Sequence, residues 1–195
     1  NTNRLTFALQ AGFINRRINT DALEWGEQYN DIFGFDPNYV PADVDLIRNS
    51  TILDISAGAF WRYYSSLDSR IIRSVYAGFM TAHLNNPDQS VLVSQTDFLP
   101  LLHKLHGGIV FGLSEKVSVS GNFITLFQNN ENQTNVGAFA SYKMPVTTSG
   151  VFSNLVTRVG TWHRFNDSFI ASLEFLTDNL HIGFSYDWNV TSLRY

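Results

Sequence analysis

Residues 168–193, SFIASLEFLTDNLHIGFSYDWNVTSL, constrain this chain more than any other stretch. Phe169, Ala171, Leu173 and Phe175 share one face of an extended segment, and Ser172 and Glu174 share the other. After the polar break Thr177-Asp178-Asn179 the alternation resumes. Ile182, Phe184, Tyr186 and Trp188 then oppose His181, Gly183, Ser185, Asp187 and Asn189. Side chains of a strand alternate between faces, so this pattern predicts a hairpin of two strands. A strand of a soluble domain ends after about 5–6 residues. Longer strands, apolar and aromatic along one whole face and polar along the other, suit a sheet whose apolar face meets lipid.

The design repeats along the chain. Segments 4–18, 51–65, 70–84, 100–113, 116–128, 135–144 and 155–165 alternate in the same way, which makes about nine strands with the opening pair. In 4–18, Leu5, Phe7, Leu9, Ala11 and Phe13 oppose Arg4, Thr6, Gln10, Gly12 and Arg16. In 51–65, Leu53, Ile55, Ala57, Ala59, Trp61 and Tyr63 oppose Asp54, Ser56, Gly58 and Arg62, and Trp61, Tyr63 and Tyr64 are placed as an interfacial girdle. Composition agrees: 44% of residues are hydrophobic and 14% aromatic but only 15% charged, against about a quarter charged in soluble domains. Mean hydropathy is only −0.07, and no run approaches the roughly 18 apolar residues of a membrane helix. Composition alone leaves a soluble β-sandwich open; strand length and face chemistry favour a barrel.

No helical segment separates the strands, so consecutive strands are expected to be antiparallel neighbours. The connections are uneven. Residues 19–50 and 85–99 are long loops, and an Asn/Gln-rich loop is expected at 129–134; short turns are expected at 66–69, 114–115, 166–167 and 177–179, with a connector at 145–154. Outer-membrane barrels keep long loops outside and short turns in the periplasm, and single-chain bacterial barrels have an even strand count. The expectation is one partial barrel domain over 1–195, with 19–50 and 85–99 extracellular. N-terminal strands and one closing strand would lie beyond the chain's ends. No initiator Met or secretory leader opens the sequence, which reads as a mature or partial chain.

Catalytic chemistry finds no foothold in the spacing. No Ser/His/Asp, Cys/His or paired-carboxylate arrangement stands out, Cys is absent, and His103 and His106 fall on opposite faces of one strand. Neither a cofactor nor a metal site is expected, and a net charge of −4 offers no nucleic-acid footprint. The glycines in strand interiors, Gly58, Gly78, Gly107, Gly108, Gly121, Gly137 and Gly183, point to bends or crowded lumen positions. The aromatic content of 19–50 is the feature with functional weight. Thr20-Asp21 could cap a short helix carrying Ala22, Trp25, Tyr29 and Phe33 at helical spacing. Trp25, Phe33, Phe35 and Tyr39 are either packed back on the barrel or anchors for a partner, because exposed aromatics dominate interfaces.

Five blocks, LQAGFINRRIN (9–19), INTDALEWGEQYNDIFGFDP (18–37), VYAGFMTAHLNNPDQS (75–90), LHGGIVFGLSEKVSVSGN (105–122) and HIGFSYDWNVTSL (181–193), resemble the PorP/SprF family. These are outer-membrane proteins of the Bacteroidetes type IX secretion and gliding-motility system. Asn86 departs from the longer Arg or Gln expected before Pro87. The resemblance implies a barrel of about fourteen strands, of which this chain supplies the fifth to thirteenth. It also implies a non-enzymatic role in secreting, binding or anchoring a surface protein, such as a large adhesin, through that protein's C-terminal domain. Other secretion components and outer-membrane lipid would be the further partners. The competing reading is a transport barrel for small solutes, with a lumen of mixed charge that includes Arg62, Lys104, Glu174 and Asp187.

Overall fold

The computed structural model describes residues 1–20, 23–65, 71–144 and 154–190. The turn expected at 66–69, residues 145–153 of the expected connector and the end of the 181–193 block lie outside them. The fold is all-β and antiparallel. Strands β1 (Thr2–Arg16), β4 (Ser50–Tyr64), β5 (Ile72–Ala82), β6 (Leu102–Gly112), β7 (Val117–Gln128), β8 (Glu131–Lys143), β9 (Val156–Arg164), β10 (Ser168–Leu176) and β11 (His181–Asn189) form one nine-stranded sheet in that order. Two further strands, β2 (Tyr29–Asn30) and β3 (Gly34–Phe35), make a separate two-stranded sheet. Each expected strand is present with its ends shifted by a few residues, except at 129–134. There β8 begins at Glu131, so the expected six-residue loop is a two-residue turn through Asn129, whose φ of 54° is left-handed. Asn tolerates that conformation, and the Asn/Gln-rich residues 131–134 then pair across to β7 as ordinary strand.

The chain divides into two compact units. One holds residues 1–8, 57–81 and 102–195, and the other holds 9–56 and 82–101. In the first unit the register assigns the faces. Phe123 pairs with Gly107 and Val136, Val136 with His163, His163 with Phe169, and Phe169 with Trp188, so these residues share the apolar face. On the opposite face Asn122 pairs with Gly108 and Gly137, Gly137 with Trp162, and Trp162 with Ile170. The apolar face is solvent-exposed in large part: Phe79, Val159 and Phe169 are 48%, 55% and 45% exposed. Apart from prolines, the only buried apolar side chains longer than glycine among the described residues are Ala82 and Phe139. A sandwich would bury a contiguous core between two sheets. Among the described residues this sheet shows no such core, and its long strands with one exposed apolar face are those of a partial barrel.

Several strand glycines exist to admit a ring. A Cβ on Gly137 would lie 2.6 Å from the Trp162 indole, and one on Gly108 would lie 2.8 Å from the Tyr76 ring. Phe139, set edge-on to Trp162 with centroids 5.8 Å apart, covers Gly160 in the same way. The expectation of crowded lumen positions holds for Gly78, Gly108 and Gly137. It fails for Gly121 and Gly183, where an added Cβ meets nothing closer than 3.7 Å, and Gly107 is crowded on the apolar face by Phe123. Tyr64 is a second correction. Its ring lies 4.9 Å from the Arg62 guanidinium on the polar face, so it is not part of an outward girdle with Trp61 and Tyr63.

Candidate partner-binding loops

The second unit is built from the two long loops, and one carboxylate knits them together. Asp88 Oδ1 accepts the N–H of Ser90 at 3.0 Å and of Asp97 at 2.9 Å, while Oδ2 takes the Arg48 guanidinium at 2.8 Å. These donors hold the Asp88 carboxyl below its ordinary value of 3.8, the Asp97 and Ser90 backbone amides first and Arg48 after them. Around this centre the loop 85–99 closes on itself. Gln89 N–H donates to Asp97 O at 2.8 Å and Leu99 N–H to Pro87 O at 2.9 Å. It also pairs with the end of the loop 19–50: Arg48 N–H donates to Val91 O and Val93 N–H to Leu46 O, both at 2.8 Å, flanking an Ile47–Leu92 bridge. Ser90, 6% exposed, locks the corner by donating its hydroxyl to Leu92 O and accepting the Leu92 N–H.

The residues before Asp88 hand the chain from strand to loop. His83 and Asn86 take left-handed φ values of 61° and 41°. Between them the Asn85 side chain continues the β-ladder on β4, donating to Leu53 O at 2.7 Å and accepting the Ile55 N–H at 3.1 Å. His83 Nδ1 meets Asp54 Oδ1 at 2.9 Å. Asn is among the few residues suited to a left-handed position, which accounts for Asn86 where Arg or Gln was expected.

The exposed part of the same unit is a small hairpin. Trp25 N–H donates to Gln28 Oε1 at 2.8 Å, and a single 3-10 turn at Gly26–Gln28 leads into β2. Tyr29 pairs with Phe35 and Asn30 with Gly34. Asn30 Oδ1 accepts the N–H of Ile32 at 2.8 Å, and Gly34 at φ 79° turns the chain back. Gln28 closes the base by accepting Asp36 N–H at 2.8 Å and donating its side-chain amide to Tyr39 O. The helix expected from Thr20-Asp21 is therefore absent over 23–33. The Asn30 side chain and the left-handed Gly34 give the backbone a turn instead. Of the four aromatics expected as anchors, Phe33 stands at the hairpin tip and is 86% exposed, Phe35 and Tyr39 are about half exposed, and Trp25 is half-buried at the base. The tip also presents Ile32, 82% exposed, and Tyr29 pairs with Phe35 beside it; neither was singled out from the sequence as an anchor.

The polar face of the first unit carries its own charge arrangement. Arg62 lies over Phe60, Tyr64 and Tyr76, and no carboxylate pairs with it among the described residues. Tyr76 donates its hydroxyl to Asn122 Oδ1 at 2.8 Å. Farther along the sheet Arg158 meets Glu174 at 3.1 Å and stacks on Phe139, while His181 lies 3.4 Å from the same Glu174 oxygen. Arg164 pairs with Asp167 at 2.8 Å. Among the described residues no cluster of three or more His, Asp or Glu side chains is arranged to hold a metal. These ion pairs position side chains across neighbouring strands and turns.

Arg48 and Asp88 were not singled out from the sequence. A signal existed: Arg48 is the first cation after Arg17, and Asp88 follows the turn-forming Asn86-Pro87. No solved structure and no curated protein matches the chain. A family model described as the type IX secretion system membrane protein PorP/SprF matches residues 1–195, the whole of the chain. With the blocks and the nine antiparallel strands in agreement, the chain belongs to the PorP/SprF family of type IX secretion system membrane proteins.

Proposed function

We propose that this chain supplies nine strands of an outer-membrane barrel that helps to secrete a surface protein or to hold it at the cell surface, through that protein's C-terminal domain, with no catalytic step of its own. The loops 19–50 and 85–99 face outward in this reading, and a large adhesin of a gliding Bacteroidetes cell is the kind of cargo it serves. The observation that carries it is the hairpin Tyr29–Phe35, which holds Ile32 and Phe33 more than four-fifths exposed on a loop pair ordered by the Arg48–Asp88 clasp. An ordered loop that exposes large aromatics loses little conformational freedom on binding, which is how anchors gain affinity. The polar face weighs against an ion-selective channel, because its charges are of both signs and some of them pair, as Arg158–Glu174 and Arg164–Asp167 do.

The test is replacement of Trp25, Phe33, Phe35 and Tyr39 by Ser in the full-length protein, with the secreted protein on intact cells quantified by surface proteomics. Loss of retention with normal barrel assembly is expected. Unchanged retention overturns the assignment of these loops as the docking surface.

A further inference from the structure

The exposed hairpin also specifies the charge of what it binds. Every charged residue between Arg17 and Arg48 is a carboxylate, an excess that more than accounts for the chain's net charge of −4. Four of them, Glu24, Glu27, Asp31 and Asp36, are exposed on and around the hairpin, and none is in an ion pair among the described residues. Arg48, the cation that ends this stretch, is already engaged with Asp88. The hairpin therefore presents carboxylates with no counter-charge among the described residues, beside the exposed rings of Tyr29, Phe33 and Phe35.

We propose that the occupant of this surface is a Lys/Arg-rich segment of the secreted partner, a deepening that rests on the docking reading given above. Three chemistries on the hairpin match such a segment at once. The carboxylates accept ammonium and guanidinium donors, the aromatic faces attract the same cations, and Ile32 with Phe33 covers their aliphatic stems. A partner that is neutral or acidic would bury these carboxylates unpaired or face them with like charge, and both exclude it. Exposed complementary charge acts mainly on encounter rate and on choice of partner, so binding should be salt-sensitive while the aromatics supply the residence time.

The experiment uses the full-length protein in nanodiscs of zwitterionic lipid. The probes are a labelled peptide of alternating Arg and Ser and its counterpart of alternating Glu and Ser, and binding is followed by fluorescence anisotropy. The comparison variants are the charge variant Glu24→Gln/Glu27→Gln/Asp31→Asn/Asp36→Asn and the aromatic variant Tyr29→Ser/Phe33→Ser. The wild-type protein is expected to bind the Arg peptide and not the Glu peptide. Affinity should fall by about tenfold or more in the charge variant, and similarly on raising salt to about 0.5 M. Equal binding of both peptides, binding of neither, an unaffected charge variant, or a charge dependence seen only with millimolar Ca²⁺ overturns the proposal; the last would make these carboxylates a cation site. Retention on cells separates the two levels of the reading. If the charge variant keeps the secreted protein while the aromatic variant loses it, docking stands and the basic occupant fails. If both variants keep it, the docking reading itself fails.

Discussion

Asp88 shows how one side chain can order two loops. It accepts two backbone N–H groups and a guanidinium, so its carboxylate form is favoured in the folded loops and its proton affinity is lowered. A carboxyl whose folded value lies below its unfolded one contributes stability above the unfolded value. That contribution is lost as pH falls through the folded value. The loop 85–99 is thus expected to stay closed at neutral and mildly acidic pH and to open only below the ordinary carboxylate range. Pepsin cleavage followed across pH 5 to 2 by mass spectrometry checks this. Cuts within 85–99 should appear only at the acid end in the wild-type protein and at every pH tested in Asp88→Ala. At this scale the sequence was readable for which loop carries the aromatics, but neither for their exposure nor for partnership. Phe33 can be seen as an aromatic in a loop, whereas Arg48 and Asp88 are 40 residues apart and nothing local announces that they meet.

Among elements, the strands carry a period that needs no tertiary information. One residue of displacement along a strand reverses the face and with it the surrounding medium. Val136 and Asn135 are neighbours on β8, the first on the apolar face with Phe123 and His163, the second on the polar face with Ile124 and Arg164. Val136→Arg is expected to destabilise the barrel by about 2–4 kcal/mol, as a charge near the middle of a lipid-facing strand does. Asn135→Arg should cost far less, because its guanidinium faces the lumen. Urea unfolding in lipid vesicles measures both, and equal losses would contradict the assignment of faces. The elements misjudged from sequence were those fixed by partners that local spacing and composition do not record. Residues 23–33 look helical by spacing, yet Asn30 and Gly34 turn them into a hairpin, and residues 131–134 look like loop by composition, yet β7 recruits them as strand.

For the molecule as a whole, the sheet and the loops are expected to carry separate properties. Replacing residues 28–36 with a short Gly-Ser linker changes loop entropy by only about a kcal/mol, since closure cost grows slowly with length. Barrel assembly, read as heat-modifiable migration on gels, should be unchanged, and trypsin should cut after Arg48 no faster than in the wild-type protein because the clasp at 46–48 is retained. Surface retention of the secreted partner should fall. A barrel that fails to assemble after this replacement would show that the hairpin serves folding rather than docking.

The amino-acid sequence by itself determined the all-β class, the nine strands of the large sheet, the alternation of faces along them and the family. All of these follow from local alternation or from words of sequence, and alternation is a property of the extended backbone itself. Only the tertiary structure decided which glycines admit rings, where Tyr64 packs, how the two long loops are tied and which aromatics stand free at a hairpin tip. Those features depend on side chains brought together across strands and loops. Composition and spacing record which residues are present, and only the fold's register records which of them meet.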